Sequence, residues 1–417
     1  MIRIGIVGCG RILPAHLRGY KLLRERGYDD FRITGLVAHR RTDAEMFRKR
    51  GEGPPPRPPV QMQPGDPLTA PHLYVDDVHP DTVPTVYETL EDMLLSGQVD
   101  AIDTPSSVFA HHTIALAALR AGKHVLVQKP FSVSVLAGRM MVEAARKGGR
   151  VLGVMENVRY AAGSRHARWA IEEGLIGDVQ MVASVNIGSM DWAPDRVVAD
   201  TAWRHRRAEA GGGPSLDIGV HMFHGLRYIC GEIRGVSALV RTFEPVRLLR
   251  DAAGHVIERV AADADDAYFS LLEFAGSGIG MASVTWAGHG EPSGLPDGRV
   301  IYGSKGVIKG GRLLVDGQPP VALAVLFAER APAALKERYF PLGLTDTFAL
   351  GSYDFLRSIA TGGQMESSGE EGLRDVATAF ALIESSALRC MVQVEDVYTG
   401  KVAAEQTAIN MHYGLHD

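Results

Sequence analysis

Cysteine is scarce in this chain, with three in 417 residues. Cys9, Cys230 and Cys390 are too scattered for a disulfide framework or a paired CxxC metal motif. No apolar run approaches the roughly 20 residues that a membrane span needs. Neither sign of charge dominates: 44 Lys and Arg against 49 Asp and Glu leave a net charge of -5. Neither nucleic acid nor an anionic membrane surface is therefore expected as a partner. Met1-Ile2-Arg3 leads straight into a strand pattern with no basic leader and no cleavage site, so a reducing cytoplasm is the expected location. No internal repeat is visible. What remains is a composition of 46% hydrophobic and 22% charged residues, that of an ordinary globular protein. The length predicts two domains.

Short apolar runs at Ile2 to Val7, Phe31 to Ala38, Ala101 to Asp103, His124 to Val127 and Val151 to Val154 alternate with helical periodicity at Leu90 to Leu95, His111 to Arg120 and Val135 to Lys147. That alternation predicts βαβ units on a parallel, doubly wound sheet over residues 1–154. Residues 51–84 carry PPPRPP and further prolines and cannot be regular helix or central strand, so they read as a long surface insertion, mobile or functional. After residue 155 the pattern changes to alternating strands between short turns. Residues 155–417 are expected to form a second domain on a large open, mostly antiparallel sheet. Helices are predicted within it at Ser164 to Glu173, Leu216 to Cys230, Ser352 to Ala360 and Leu373 to Val392, the last ones packing back on the body.

Gly8-Cys9-Gly10 follows the first strand and opens a helix. Glycines there permit a tight turn and let backbone N–H groups approach a pyrophosphate, so Gly8, Gly10, Arg11 and Ile12 are candidate dinucleotide contacts. The third fingerprint position is Leu13, which leaves the motif incomplete. The second strand ends in Val37-Ala38-His39-Arg40-Arg41, with no acid before Asp43. Such a site usually holds a ribose 2′-hydroxyl with an acid and a 2′-phosphate with arginine. His39, Arg40 and Arg41 thus favour NADP over NAD; the alternative is that these cations are simply solvated at a helix start.

Three further signatures stand downstream. One runs from Thr104-Pro105 through His111 and Ala121-Gly122-Lys123-His124-Val125 to Gln128-Lys129-Pro130. Another is Glu156-Asn157-Val158-Arg159-Tyr160, and the third is Gly211-Gly212-Gly213 with Asp217 and His221. Lys129 follows a parallel strand at the carboxyl edge, where a lysine can stabilise charge developing on an oxygen. Asp217 and His221 are four residues apart on the helix predicted from Leu216, hence on one face, and histidine suits a general base for an alcohol proton. His224 lies one turn on, but no third ligand is spaced to complete a metal site, and no metal is expected.

In their order and spacing, over essentially the whole chain to Gly372-Leu373-Arg374-Asp375, these motifs resemble the glucose–fructose oxidoreductase/inositol dehydrogenase (Gfo/Idh/MocA) family. The family's usual E-K-P is Gln128-Lys129-Pro130 here. The resemblance implies an NAD(P)-dependent dehydrogenase of a sugar, cyclitol or glycoside. Lys129, Asp217 and His221 would be catalytic. Thr104, Pro105, His111, Gln128, Lys129 and Asn157 would join the cofactor contacts. Arg159, Tyr160, Trp203 and Arg204, with Lys129, Asp217 and His221, would meet a polyhydroxylated substrate, although Tyr160 and Trp203 serve equally as packing residues. Two other classes stay open: a redox-neutral glycoside-cleaving enzyme using the same cofactor, and a nucleotide sensor without catalysis. A large open sheet invites association, so a homodimer or homotetramer through it is expected.

Overall fold

The computed structural model describes residues 1–58, 65–188, 194–251 and 253–416, which divide into two compact units. The first takes Met1–Val133, Ala137–Asn157 and Leu342–Gly372, and the second Ser134–Leu136, Val158–Pro341 and Leu373–Asp417. The first unit holds strands β1 (Ile2–Val7), β2 (Phe31–Val37), β3 (Thr85–Val86), β4 (Ala101–Thr104), β5 (His124–Gln128) and β6 (Leu152–Met155). They form one sheet in the order β3-β2-β1-β4-β5-β6, with every pair parallel. β4 and β6 are buried along their whole length, as expected of parallel strands covered on both faces. The order reverses between β1 and β4, and in such sheets the crevice at the carboxyl ends of those strands is where a ligand binds.

Helix α1 (Leu13–Glu25) follows β1 and buries Leu13, Leu17, Tyr20 and Leu23, a stripe at helical spacing. Helix α2 (Arg41–Arg48) follows β2 and buries Ala44, Met46 and Phe47. Residues 59–64 of the proline-rich insertion lie outside the described residues; among its described residues the helical segments are a 3-10 turn at Pro67–Thr69 and one turn at Val75–Val78.

The sequence reading placed everything past residue 155 in the second domain. Instead Leu342–Gly372 belongs to the first unit. Within it, Asp346 caps the helix Thr347–Thr361 by accepting from Phe348 N and Ala349 N, and that helix packs on α1 at Gly19. A Cβ on Gly19 would stand 2.8 Å from the backbone carbonyl carbon of Phe348. A contact between residues so distant in sequence leaves no local pattern, which is why it escaped the periodicity.

In the second unit the strands are β7 (Val179–Ile187), β8 (Ile233–Arg241), β9 (Val246–Arg250), β10 (Val256–Ala261), β11 (Ala267–Phe274), β12 (Ile279–Thr285), β13 (Ser293–Gly303), β14 (Gly306–Lys309), β15 (Arg312–Val315), β16 (Val321–Ala322) and β17 (Val392–Gln393). Nine of them make one sheet, β16-β15-β14-β13-β7-β12-β11-β8-β17, and β9 and β10 form a separate ribbon. Within the sheet only β7 and β12 pair in parallel. From Tyr268 onward β11 alternates, with Tyr268, Leu272 and Phe274 buried and Phe269, Leu271 and Glu273 exposed. That is the signature of a sheet covered on one face. The ribbon, β15 to β17 and the helices Leu323–Arg330 and Ala333–Tyr339 were not anticipated from the sequence. The helix predicted over Leu216 to Cys230 is two helices, Pro214–Asp217 and Gly219–Cys230, which meet at Ile218.

Gly19→Val is expected to lower the thermal unfolding midpoint by several degrees, since overpacking costs about 1–3 kcal/mol. Gly163→Ala, in the helix Ala162–Glu172 with nothing within 4 Å of the added Cβ, should raise it slightly or leave it unchanged. Differential scanning fluorimetry on both variants checks the contrast.

Candidate active site

The dinucleotide turn lies at the switch point of the first unit. Gly8 has φ +105°, and a Cβ there would stand 2.9 Å from Ser106 Cα, just beyond β4. Only glycine satisfies both demands. Gly10 differs: its nearest neighbour to an added Cβ is Pro105 O at 3.9 Å. Nothing in the protein's own packing demands glycine at that position, and the bare backbone leaves room for a ligand to approach. Ile12 caps α1; in its first turn Leu13 N and Ala15 N donate back to Gly10 O and Ile12 O at 3.4 and 3.1 Å, and Pro14 has no N–H, so the room for a ligand lies at the turn itself, before the helix. The residues present therefore fit a nucleotide pyrophosphate.

At the end of β2, His39 and Arg40 are exposed. Arg40 Nε donates to Asp43 Oδ2 at 3.2 Å. The Arg41 guanidinium is paired with Glu45 at 2.8 Å and with Glu88. Both arginines are thus ion-paired, and Arg40 is the more exposed of the two, at 71% against 47%. Thr104 Oγ1 and Ser106 Oγ share a hydrogen bond at 2.8 Å beside Pro105.

His111, expected among the cofactor contacts, is completely buried. Its Nδ1 lies 2.9 Å from Pro130 O and its Nε2 3.1 Å from Ser106 O. Burial pushes its pKa down to about 4, so the neutral ring has one proton to share between two carbonyls. His111 is thereby a clip between the turn after β4 and the turn after β5, and its role in the site is indirect. Asn157 opens the helical turn Asn157–Tyr160 directly after β6 and is half-buried.

In the second unit, a 3-10 turn at Ala202–His205 carries Trp203 and Arg204. The guanidinium of Arg204 lies over the Trp203 ring at 4.4 Å. Its Nε is 3.3 Å from Asp217 Oδ2, and its Nη1 donates to Thr201 Oγ1. Asp217 is thus held by a cation before any ligand arrives. The glycine run behind it is clamped: a Cβ on Gly213 would fall 1.6 Å from Asp265 O. The Asp265 carboxylate accepts from Gly213 N, Ser215 N and Ser215 Oγ at 2.8, 3.0 and 2.7 Å. Asp265 was not singled out in the sequence, because its partners lie some fifty residues away. His221 sits in the first turn of Gly219–Cys230, half-buried. Asp217 is the last residue of one helix and His221 stands in the first turn of the next; the Ile218 backbone between them is itself helical (φ −98°, ψ −34°), and Met222 N donates to Ile218 O at 3.1 Å.

Of the substrate candidates, Tyr160 is packed away, and Arg159, half-buried, has partners within its own unit. Tyr160 is buried, with the Arg165 guanidinium over its ring at 5.2 Å. Arg159 Nη1 donates to His224 Nε2 at 3.2 Å and lies over Tyr228 at 4.7 Å. With Nε2 accepting, His224 carries its proton on Nδ1 and donates it to Asp375 Oδ2 at 2.6 Å. Arg227 pairs with the other oxygen of Asp375. A buried aspartate with these partners fixes the packing of the helix Gly219–Cys230. Among the described residues no three His, Cys, Asp or Glu side chains gather as a metal ion would require.

Comparison with known proteins decides what these elements belong to. The family model described as "Oxidoreductase family, NAD-binding Rossmann fold" matches residues 2–156, and "GFO/IDH/MocA C-terminal domain" matches 164–309. The chain belongs to the Gfo/Idh/MocA family of NAD-binding oxidoreductases. It is 27% identical over 321 residues to the levoglucosan dehydrogenase of Pseudarthrobacter phenanthrenivorans, covering 72% of this chain and 81% of that one. It is 27% identical to the 1,5-anhydro-D-fructose reductase of Ensifer adhaerens, over 74% and 83%. With the myo-inositol 2-dehydrogenase of Thermotoga maritima it shares 26% identity over 95% and 99%. Among solved structures, levoglucosan dehydrogenase in complex with NADH superposes with a TM-score of 0.71 at 21% identity, over 94% and 99%. That likeness confirms the fold.

Within the family the lysine–proline pair is usually preceded by glutamate, and the structure shows what accompanies glutamine here. Lys129 N donates to Gln128 Oε1 at 2.7 Å. A backbone N–H can only donate, so the carboxamide oxygen faces Lys129 and Nε2 faces His16 Nε2 at 2.9 Å. That histidine nitrogen must accept, which places the ring proton on Nδ1, 2.9 Å from Asp103 Oδ2. Tyr20 donates to the same oxygen at 3.0 Å. A buried relay thus runs Tyr20–Asp103–His16–Gln128–Lys129. His16 and Tyr20 were missed in the sequence, although their spacing of four puts them on one face of α1, and an acid closing an apolar strand signals a need for buried partners.

His16→Ala is expected to lower kcat roughly 10- to 100-fold, the scale of an ångström misplacement at a reacting group, while leaving the affinity for reduced nucleotide nearly unchanged. Steady-state kinetics together with a fluorescence titration separate the two effects.

Proposed function

We propose that the protein transfers a hydride between NADP or NAD, with NADP favoured, and a secondary alcohol or ketone of a sugar, cyclitol or glycoside. The observation that carries this reading is Lys129 at the carboxyl end of β5, fixed through Gln128, His16 and Asp103, in a family of NAD-binding oxidoreductases. The printed activities of the relatives support the substrate class, since levoglucosan, anhydrofructose and inositol are all polyhydroxylated rings.

When bound, the nicotinamide supplies the acceptor or donor of the hydride. Gly8, Gly10, Arg11 and Ile12 would hold its pyrophosphate, and His39 and Arg40 the adenosine ribose. Thr104, Pro105, Gln128, Lys129 and Asn157 would line the rest of its path. Toward the substrate, His221 takes the hydroxyl proton during oxidation and returns it during reduction. The Lys129 ammonium donates a hydrogen bond to the reacting oxygen and stabilises its negative charge. Asp217 orients the neighbouring hydroxyl, and the Arg204 guanidinium keeps that carboxylate in place. Trp203, stacked under Arg204, offers an apolar face to the ring. A cytoplasmic location accords with three unpaired thiols.

The exposed face of the second unit's sheet supports self-association. Leu239, Phe269 and Leu271 are 59%, 51% and 63% exposed. Phe269 pairs with Leu239 across β11 and β8, and Leu271 with Met281 across β11 and β12. A contiguous apolar patch on a sheet face marks an interface, and a homodimer or homotetramer would cover it.

Lys129→Ala and His221→Ala should each lower kcat by at least about a hundredfold while nucleotide binding persists; a panel of sugars and polyols followed at 340 nm reads this directly. Full activity in either variant would overturn the assignment. The double variant Phe269→Glu/Leu271→Glu is expected to shift the native assembly to monomer in size-exclusion chromatography with light scattering, and a monomeric starting protein would refute the interface.

A further inference from the structure

The proline-rich insertion returns to the dinucleotide turn and delivers a cation there. Arg57 Nη1 donates to the carbonyl oxygen of Cys9, the central residue of the glycine turn, at 2.9 Å. The same guanidinium pairs with Asp43 Oδ1 at 2.5 Å through Nη2. Beside it, Arg11 Nη1 reaches Pro58 O at 3.4 Å. The insertion is anchored further along by His72, whose ring lies against Phe47 of α2 at 4.4 Å and whose Nε2 is 3.2 Å from Met46 O. Between insertion and turn there is a cavity of about 280 Å³ lined by Gly10, Arg11, Phe47, Arg57, Leu68 and His72.

Asp43 is the first acid after β2, the residue to which a ribose hydroxyl would turn in an NAD site. Both of its oxygens are engaged: Oδ1 by Arg57 and Oδ2 by Arg40. A carboxylate gripped on both sides is a poor acceptor for a hydroxyl. Two guanidinium groups against one carboxylate leave a net positive charge, and their forked donors match a phosphate. The side chain of Asp43 is 18% exposed and that of Arg57 25%, whereas Arg40 is 71% exposed. The carboxylate is the shielded member of the triad, and Arg40 is the cation open to a ligand.

We infer that Arg57, contributed by the insertion, completes with Arg40 a binding site for the 2′-phosphate of NADP, so that the insertion is part of the cofactor site. This inference rests on the NADP reading given above. The shared aspartate holds the two guanidinium groups close together before binding, which removes part of the cost of assembling them around a dianion.

Titration of the full-length protein with NADPH and, separately, with NADH tests the inference through dissociation constants alone, for the wild type, Arg57→Ala, Arg57→Lys and Arg40→Ala. Arg57→Ala should weaken NADPH at least about tenfold, the scale of a lost hydrogen bond to a charged group, and NADH less than about threefold. Arg57→Lys, which keeps the charge but not the fork, should fall between; it also carries the test if the alanine variant does not fold. Equal weakening of both nucleotides by the Arg57 variants, or none, overturns the inference. If Arg40→Ala is selective for NADPH and the Arg57 variants are not, the NADP reading stands and the role of Arg57 falls. A wild type that binds NADH as tightly as NADPH and is indifferent to Arg40→Ala overturns the NADP reading itself, and the inference with it.

Discussion

A carboxylate removed from water must be met by hydrogen bonds or not be ionised at all, and Asp103 imposes that demand at the end of β4. It is fully buried, and its Oδ2 gathers Tyr20 and His16 from α1. His16 in turn reaches Gln128 on β5. The first helix and the neighbouring strands β4 and β5 are thereby locked together at the edge where the nucleotide turn and Lys129 both lie. A glutamate at position 128 would bring a second carboxylate into the same buried chain. Glutamine keeps an oxygen for Lys129 N and gives His16 a donor without adding charge. The departure from the usual motif is part of a local solution involving at least four side chains.

A different economy governs the second unit. Its catalytic candidates sit on short, interrupted segments, and their placement is fixed by partners from far along the chain. Arg204 holds Asp217, Asp265 clamps the glycine run that precedes it, and Asp375 orders the helix that carries His221 through His224 and Arg227. Loops and helix ends can hold reactive groups accurately when a few buried polar contacts over-determine them.

This difference explains what could be read from the sequence. Five of the six strands of the parallel sheet were legible because burial on both faces leaves a run of Ile, Val, Leu and Ala; the two-residue β3 was not. The alternation of β11 was legible because one face is covered. The dinucleotide turn and Lys129 could be placed because their context is local. The partners of individual side chains were not legible from local pattern. His111 is held between two carbonyls and Tyr160 is packed away, while Arg41 is paired with two glutamates and Arg159 with His224. The break at Ile218 was invisible, since residues on both sides of it satisfy helical periodicity. The insertion carries no periodic signal at all, and its relation to the nucleotide turn is visible only in space.

The helix Thr347–Thr361 has one more consequence, for the order in which the molecule can be made. It belongs to the first unit, and its backbone lies against Gly19 of α1. About 330 residues separate the two partners, and nearly all of the second unit's sheet is encoded between them. A ribosome adding roughly 5–20 residues per second takes on the order of 20–60 seconds to cover that distance. Through that interval the nascent nucleotide-binding half stands with one flank of α1 uncovered. Its folding cannot finish as an autonomous N-terminal event, and the last step in its assembly waits for the end of translation.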